Sequence, residues 1–221
     1  MFEPAMFEPA VLPAANRNSV AGINIGSAVG SVSEWLRRIT VRVIASGQSH
    51  GSGVVWRSKG LIVTNAHVVG SPSSRPQFVR SEIGGGSYEV EFADGRKAQG
   101  WLVARDPKID LAALAVGMHD LQAASIRKAR TLRPGELMIA VGNPWDGAGA
   151  VSTGIVHHSV GKSSVLTADI RLAPGNSGGP LADAEGAVVG INSMIIDGFG
   201  VAVTSEAVER FLKRSRLLEV V

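Results

Sequence analysis

The sequence has 221 residues, a formal net charge of +3, 45% apolar and 19% charged residues, and no cysteine. At ~100–200 residues per domain it holds one large domain or two small ones packed together, long enough to bury a core without staples. Wholesale disorder, disulfides, zinc–thiolate sites and a thiol nucleophile are excluded; no apolar run reaches the ~18 residues of a membrane span, and the charge is too small to argue for nucleic acid.

Residues 1–5 and 6–10 repeat the same pentapeptide, Met-Phe-Glu-Pro-Ala. Glu3, Glu8 and the prolines Pro4, Pro9 and Pro13 do not make the basic and apolar regions of a secretory signal. Residues 1–30 therefore read as a flexible tail, and a cytoplasmic location is expected if the chain is complete. The folded domain is expected over 31–221. A short helix is predicted at 33–38, with Ser33 as its N-cap and Glu34 in its first turn.

Ile39, Val41 and Val43 then alternate with Thr40 and Arg42, the period of a half-buried strand. Further strands are predicted at 53–56, 61–64, 88–92, 97–103 and 111–116, with Asp94-Gly95 as a hairpin turn. Residues 117–134 are polar and basic, a solvated connector closed by Pro134-Gly135. A second set follows at 136–141, 152–156, 165–168, 180–182, 187–191 and 200–203. Short strands at this spacing, without long helices between them, indicate an all-β protein, and two sets of six indicate two barrels. The expected bounds are 31–120 for the first barrel and 134–204 for the second. The helix expected at 205–216 is capped by Thr204 or Ser205, and Val208, Phe211 and Leu212 form its apolar stripe.

Three segments carry chemistry. Residues 175–180 read Gly-Asn-Ser-Gly-Gly-Pro. An ordinary tight turn would use the same residues. A serine nucleophile, however, also needs its own N–H and a nearby one to converge on an oxyanion, in a backbone that only glycine tolerates. Ser177 fits, with Gly175 two positions upstream. Serine is weak without a base, and His67 follows a strand predicted to be buried. Asp110 enters an apolar strand, where a carboxylate is costly unless paired. A group of that kind holds an imidazole in the correct tautomer. Asp106, in a polar turn before Pro107, needs no such partner.

The segments 64–69, 110–114 and 175–180, in the order His, Asp, Ser, resemble the protease core of the HtrA (Deg, or Do-like) family within the chymotrypsin-like superfamily. Gly51-Ser52-Gly53, residues 140–144, residues 153–156, Asp169 and Gly190-Ile191-Asn192 support the resemblance, which covers roughly 35–212. It implies two six-stranded antiparallel β-barrels with the site between them, and a cofactor-free, metal-free serine endopeptidase acting on unfolded or flexible polypeptides in protein quality control. His67 would be the base, Asp110 its orienting acid, Ser177 the nucleophile, and the N–H groups of Gly175 and Ser177 the oxyanion hole. The alternative is a catalytically closed peptide-binding or scaffold protein on the same fold. An esterase is disfavoured, because Gly-x-Ser-x-Gly is absent around Ser177.

The resemblance further implies a homotrimer, with a monomer as the alternative. Family members usually carry PDZ domains after the protease, and none is expected within this sequence. The role of the long 71–87 loop is open. In this superfamily the residue six before the nucleophile lies near the floor of the specificity pocket, and here it is Arg171. Either Arg171 turns outward, leaving Leu172, Asn192 and Met194 around a shallow apolar pocket, or it points inward and recruits acidic residues. The cost of burying a guanidinium favours the first. His157 and His158 are expected on opposite faces of a strand, and His50 and His119 in connectors.

Overall fold

The computed structural model describes residues 25–45, 50–70, 87–143 and 149–217. The chain enters through a helix, α1 (Ile25–Ile39). Six strands follow: β1 (Thr40–Ile44), β2 (His50–Arg57), β3 (Leu61–Thr64), β4 (Ser87–Phe92), β5 (Lys97–Asp106) and β6 (Leu111–Val116). A connector with one 3₁₀ turn, Ala129–Thr131, leads to β7 (Leu137–Gly142), β8 (Ala150–Val156), β9 (Val165–Ile170), β10 (Pro180–Asp183), β11 (Val188–Ile196) and β12 (Phe199–Thr204). A second helix, α2 (Ser205–Arg214), closes the described chain.

Every neighbouring pair is antiparallel, and each set of six closes on itself. In the first barrel β1 pairs with both β2 and β4; in the second β7 pairs with both β8 and β10. Closure leaves no unpaired strand edge in either barrel. The sequence pattern accounts for the elements. In β4, Tyr88, Val90 and Phe92 are buried while Ser87 and Glu89 are exposed, the alternation a pleated strand imposes. The Asp94-Gly95 turn joins β4 to β5, with the Arg96 N–H donating to Asp94 Oδ1 at 3.0 Å.

One core cluster spans both barrels and both helices. It joins Leu36 and Ile39 of α1, Val54, Trp56 and Val63 of the first barrel, Ile139, Val141 and Ile191 of the second, and Val208 and Phe211 of α2. Helix α1 starts well before the expected Ser33. Its apolar positions Val29, Val32, Leu36 and Ile39 recur at helical spacing on this cluster. Ser33 is therefore internal and does not cap: its hydroxyl donates to the Val29 carbonyl at 2.7 Å. Of the tail expected over 1–30, residues 25–30 are helical, and residues 1–24 lie outside the described ones.

The connector is less solvated than its composition suggests. Arg127 pairs with Asp183 at 3.1 Å and Glu136 at 3.0 Å, and Ala129 and Leu132 are buried. Thr204 caps α2, accepting from the Ala207 N–H at 3.3 Å. In the first turn of α2, the Glu206 carboxylate accepts the N–H groups of Ala129 and Arg130, both at 3.1 Å. Burial pushes this carboxyl up, but those bonds outweigh it and hold it below the ordinary glutamate value. A depressed folded-state value means that the stabilisation is complete above the unfolded value and is lost as pH falls through the folded one. Glu206→Gln should therefore lower stability at pH 7 by about 1–3 kcal/mol. Urea denaturation should show the gap between variant and wild type closing below pH 4.

Candidate active site

The first barrel supplies His67 and Asp110. His67 lies in a turn just past β3, whose four residues are all buried. Arg105 Nε donates to the Ala66 carbonyl at 3.1 Å and Tyr88 Oη to the Val69 carbonyl at 3.0 Å, so the turn is fixed on both sides of His67. Asp110 stands immediately before β6 with φ of +53°, a left-handed conformation that aspartate tolerates better than most residues. Asn65 Nδ2 holds its carbonyl at 2.9 Å.

The two side chains meet. Asp110 Oδ1 accepts the His67 backbone N–H at 3.1 Å, and His67 Nδ1 lies 3.0 and 2.9 Å from the two carboxylate oxygens. The ring is half exposed, at 52%, while the Asp110 side chain is only 18% exposed. Burial raises the Asp110 carboxyl, but hydrogen bonds from His67 and Ser193 and the imidazole charge outweigh burial and hold it below the ordinary aspartate value. Asp106, by contrast, accepts the Lys108 N–H at 3.0 Å in a local turn and meets Arg214 at 3.3 Å.

The second barrel supplies Ser177 on the loop between β9 and β10. Gly175 has φ of +98° in the turn closed by the Asn176 N–H to Ala173 carbonyl bond of 3.0 Å, the positive φ that a type II turn places at its third position. Among the described residues, neither the Gly175 nor the Ser177 N–H donates a hydrogen bond, so both remain available to a ligand. Gly178 has φ of +86°, and a Cβ there would lie 2.0 Å from the Ser52 carbonyl. Only glycine lets the loop approach the first barrel this closely.

Ser193 joins the two halves, and the sequence reading missed it. It is the extra residue in a β11 bulge, where Asn192 pairs with Ala202 and Met194 with Val201. A bulge re-aims the residue it inserts. The Ser193 hydroxyl donates to Asp110 Oδ2 at 2.5 Å, and its carbonyl accepts the Ser177 hydroxyl at 3.0 Å. Its sequence signal was Asn192-Ser193, two adjacent polar residues in an otherwise apolar strand.

Ser52 of β2 was also missed as a site residue. Its N–H donates to the Ser177 carbonyl at 2.8 Å and its hydroxyl to the Gly175 carbonyl at 2.7 Å; the hydroxyl accepts the Asn143 N–H at 2.8 Å.

The expected pocket residues separate. Arg171 is exposed, and Leu172 is buried against the second-barrel core. A Cβ on Gly200 would lie 3.2 Å from Leu172 Cδ1 and 2.6 Å from Ile170 Cγ2, so these side chains crowd that glycine. Met194, Ile195 and Ile196 are 48%, 53% and 50% exposed. Asn192 does not face open space: it is 1% exposed and donates through Nδ2 to the Pro180 carbonyl at 2.9 Å, strapping the strand behind Ser177. His157 and His158 lie beyond β8, with rings 5.7 Å apart, so they do not sit on opposite faces of a strand. His50 opens β2 instead of lying in a connector, and His119 is exposed. Of the 71–87 loop, residues 71–86 lie outside the described ones.

The family model of the trypsin-like peptidase domain matches residues 51–191. The chain is 32% identical over 178 residues to "Serine protease HTRA2, mitochondrial" of Drosophila virilis, covering 76% of this chain and 40% of that protein. The namesake of Drosophila erecta gives the same identity and coverage. The chain thus spans about two fifths of the length of these relatives. Among solved structures, the HtrA-type protease AlgW with a decapeptide superposes with a TM-score of 0.70 at 22% identity, over 85% of this chain and 67% of that one. The fold is shared with that structure, and the family model runs through the segments that hold His67, Asp110 and Ser177: the chain belongs to the HtrA-type trypsin-like serine protease family.

Proposed function

We propose that the chain is a serine endopeptidase that hydrolyses peptide bonds in unfolded or flexible polypeptides, in protein quality control. The observation that carries this reading is the meeting of the two half-sites at Ser193, which holds the Ser177 hydroxyl through its carbonyl and the His67–Asp110 pair through its own hydroxyl. Ser177 attacks the scissile carbonyl, and His67 takes its proton and returns it to the leaving amine. Asp110 keeps Nδ1 as the protonated nitrogen and stabilises the imidazolium. The free N–H groups of Gly175 and Ser177 stabilise the oxyanion, which costs no reorganisation when the donors are already in place.

In the resting site the Ser177 hydroxyl bonds to the Ser193 carbonyl, with no hydrogen bond to His67. For attack the hydroxyl passes to His67, and catalytic hydrogen bonds that are long or unmade in a free enzyme tighten in the substrate complex. The alternative, a closed peptide-binding scaffold, is separated by a fluorophosphonate probe. Labelling of Ser177, read by intact mass, supports the enzyme; an unlabelled protein that still binds casein supports the scaffold.

Ser177→Ala and His67→Ala should each lower kcat by about 10⁶, and the double variant should be little worse. Asp110→Asn should cost about 10⁴ by stabilising the wrong imidazole tautomer. Asp106→Asn, confined to a turn and an exposed ion pair, should leave kcat unchanged. The reverse pattern for the two aspartates in a casein assay would overturn the assignment.

Specificity follows from the surroundings of β11. With Arg171 exposed and Met194, Ile195 and Ile196 open beside the nucleophile loop, the residue before the scissile bond should be Val, Ala, Ile or Leu. Mass spectrometry of digested protein libraries tests this. Dominant cleavage after Lys or Arg would refute it, and cleavage after Glu would mean that Arg171 turns inward on binding.

A further inference from the structure

Helix α1 is seated by two kinds of contact. Leu36 and Ile39 lie in the core shared by the barrels, which is enough to dock an amphipathic helix. Arg37 does something else. Its side chain, 38% exposed, lies along the backbone of Gly149 at the start of the β8 arm, and its Nε donates to the Gly149 carbonyl at 2.8 Å. A Cβ on Gly149 would lie 2.8 Å from both Cγ and Cδ of Arg37.

A continuous path runs from that carbonyl to the oxyanion loop. The Gly149 N–H donates to Asn143 Oδ1 at 3.0 Å, in a buried bond that ties the two arms of the β7–β8 hairpin. The Asn143 N–H donates to the Ser52 hydroxyl at 2.8 Å, with a longer contact of 3.3 Å to the Gly175 carbonyl. The Ser52 hydroxyl in turn donates to that same carbonyl at 2.7 Å. Gly175 is thus held through its carbonyl by Asn143 and Ser52, which leaves its N–H free. Releasing Gly149 would leave the buried Asn143 Oδ1 without its donor, and Asn143 would reorient to recover one. A displaced Asn143 N–H would leave Ser52, and the Gly175 carbonyl would lose its Asn143 contact and keep only the Ser52 hydroxyl, itself without the donor that fixes its orientation.

We infer that Arg37 is a positioning residue for the oxyanion hole, acting through Gly149, Asn143 and Ser52, so that the seating of α1 sets kcat. This rests on the reading of Gly175 as an oxyanion donor. Arg37 touches no reacting atom; it fixes the geometry of a group that does. The ion pair between Arg37 Nη1 and Glu34 at 2.9 Å is a separate, exposed contact and is not part of the path.

The experiment uses the full chain and two readouts: casein-peptide kinetics and the rate constant for fluorophosphonate labelling of Ser177. Complete removal of an oxyanion donor costs about 10²–10³ in kcat. Loosening its support through Arg37→Ala should cost about tenfold in kcat and in labelling rate, with KM within about twofold. Arg37→Lys, which keeps a donor on a stem of similar reach, should recover most of the loss. Glu34→Ala should match wild type. Labelling of Arg37→Ala at the wild-type rate would overturn the inference while leaving the protease reading intact. So would a loss confined to KM, or a loss that follows the folded fraction in thermal melts and is equally large in Arg37→Lys. If wild type itself fails to label, or Ser177→Ala labels as well as wild type, the parent reading fails instead.

Discussion

The Asp110 carboxylate is the group that the rest of the site answers to. An ionised carboxyl removed from water costs several kcal/mol unless donors replace its hydration. Here the backbone N–H and ring of His67 come from the first barrel, and the Ser193 hydroxyl comes from the second. Neither barrel alone satisfies the charge. Docking the barrels therefore completes the hydrogen bonding of Asp110 and, in the same step, links Ser177 through Ser193 to the His67–Asp110 pair. A candidate site built this way assembles only with the whole fold. Separating the barrels would strand a buried carboxylate as well as dividing the site.

The same logic explains why the nucleophile loop is held mainly through its backbone. A loop near a core must pair its N–H and C=O groups or lose stability. The Ser177 carbonyl takes the Ser52 N–H, the Gly178 N–H goes to the Asn192 carbonyl at 2.8 Å, and the Asn192 N–H goes to the Gly179 carbonyl at 2.9 Å. Thr64 Oγ1 donates to the Ser52 carbonyl at 2.6 Å, tying that strap to the strand that leads into the His67 turn. Against this background the unpaired N–H groups of Gly175 and Ser177 stand out. Unsatisfied donors in a well-paired loop are tolerated when their partner is a transient one.

What was legible in the sequence was local. Each strand carries its own alternation or apolar run, so both barrels and α2 could be placed from neighbouring residues alone. His67, Asp110 and Ser177 were legible because each conflicts with its surroundings, and such conflicts mark functional sites. Asp110 was separable from Asp106 on that ground. The illegible parts depend on contacts far apart in the chain. Ser193 acts through a bulge that exists only when β11 pairs with β12. Ser52 sits in a glycine-flanked run that reads as an ordinary strand, and the partners of its hydroxyl lie beyond residue 140. Helix α1 was cut short because 25–30 is rich in glycine and serine, and its helicity comes from the core it packs on. Arg127 looked solvated because Asp183 and Glu136 are distant or on another element.

The resting position of the Ser177 hydroxyl is set by the Ser193 carbonyl. Bonded to the Ser193 carbonyl, it makes a neutral hydrogen bond worth about 1 kcal/mol net. In the proposed mechanism His67 Nε2 is the acceptor that replaces that carbonyl. The carbonyl that receives the hydroxyl belongs to the same residue whose side chain supports Asp110. Any shift of the β11 bulge moves the resting place of the Ser177 hydroxyl and the support of the Asp110 carboxylate together, which couples the two halves of the candidate site more tightly than separate anchors would.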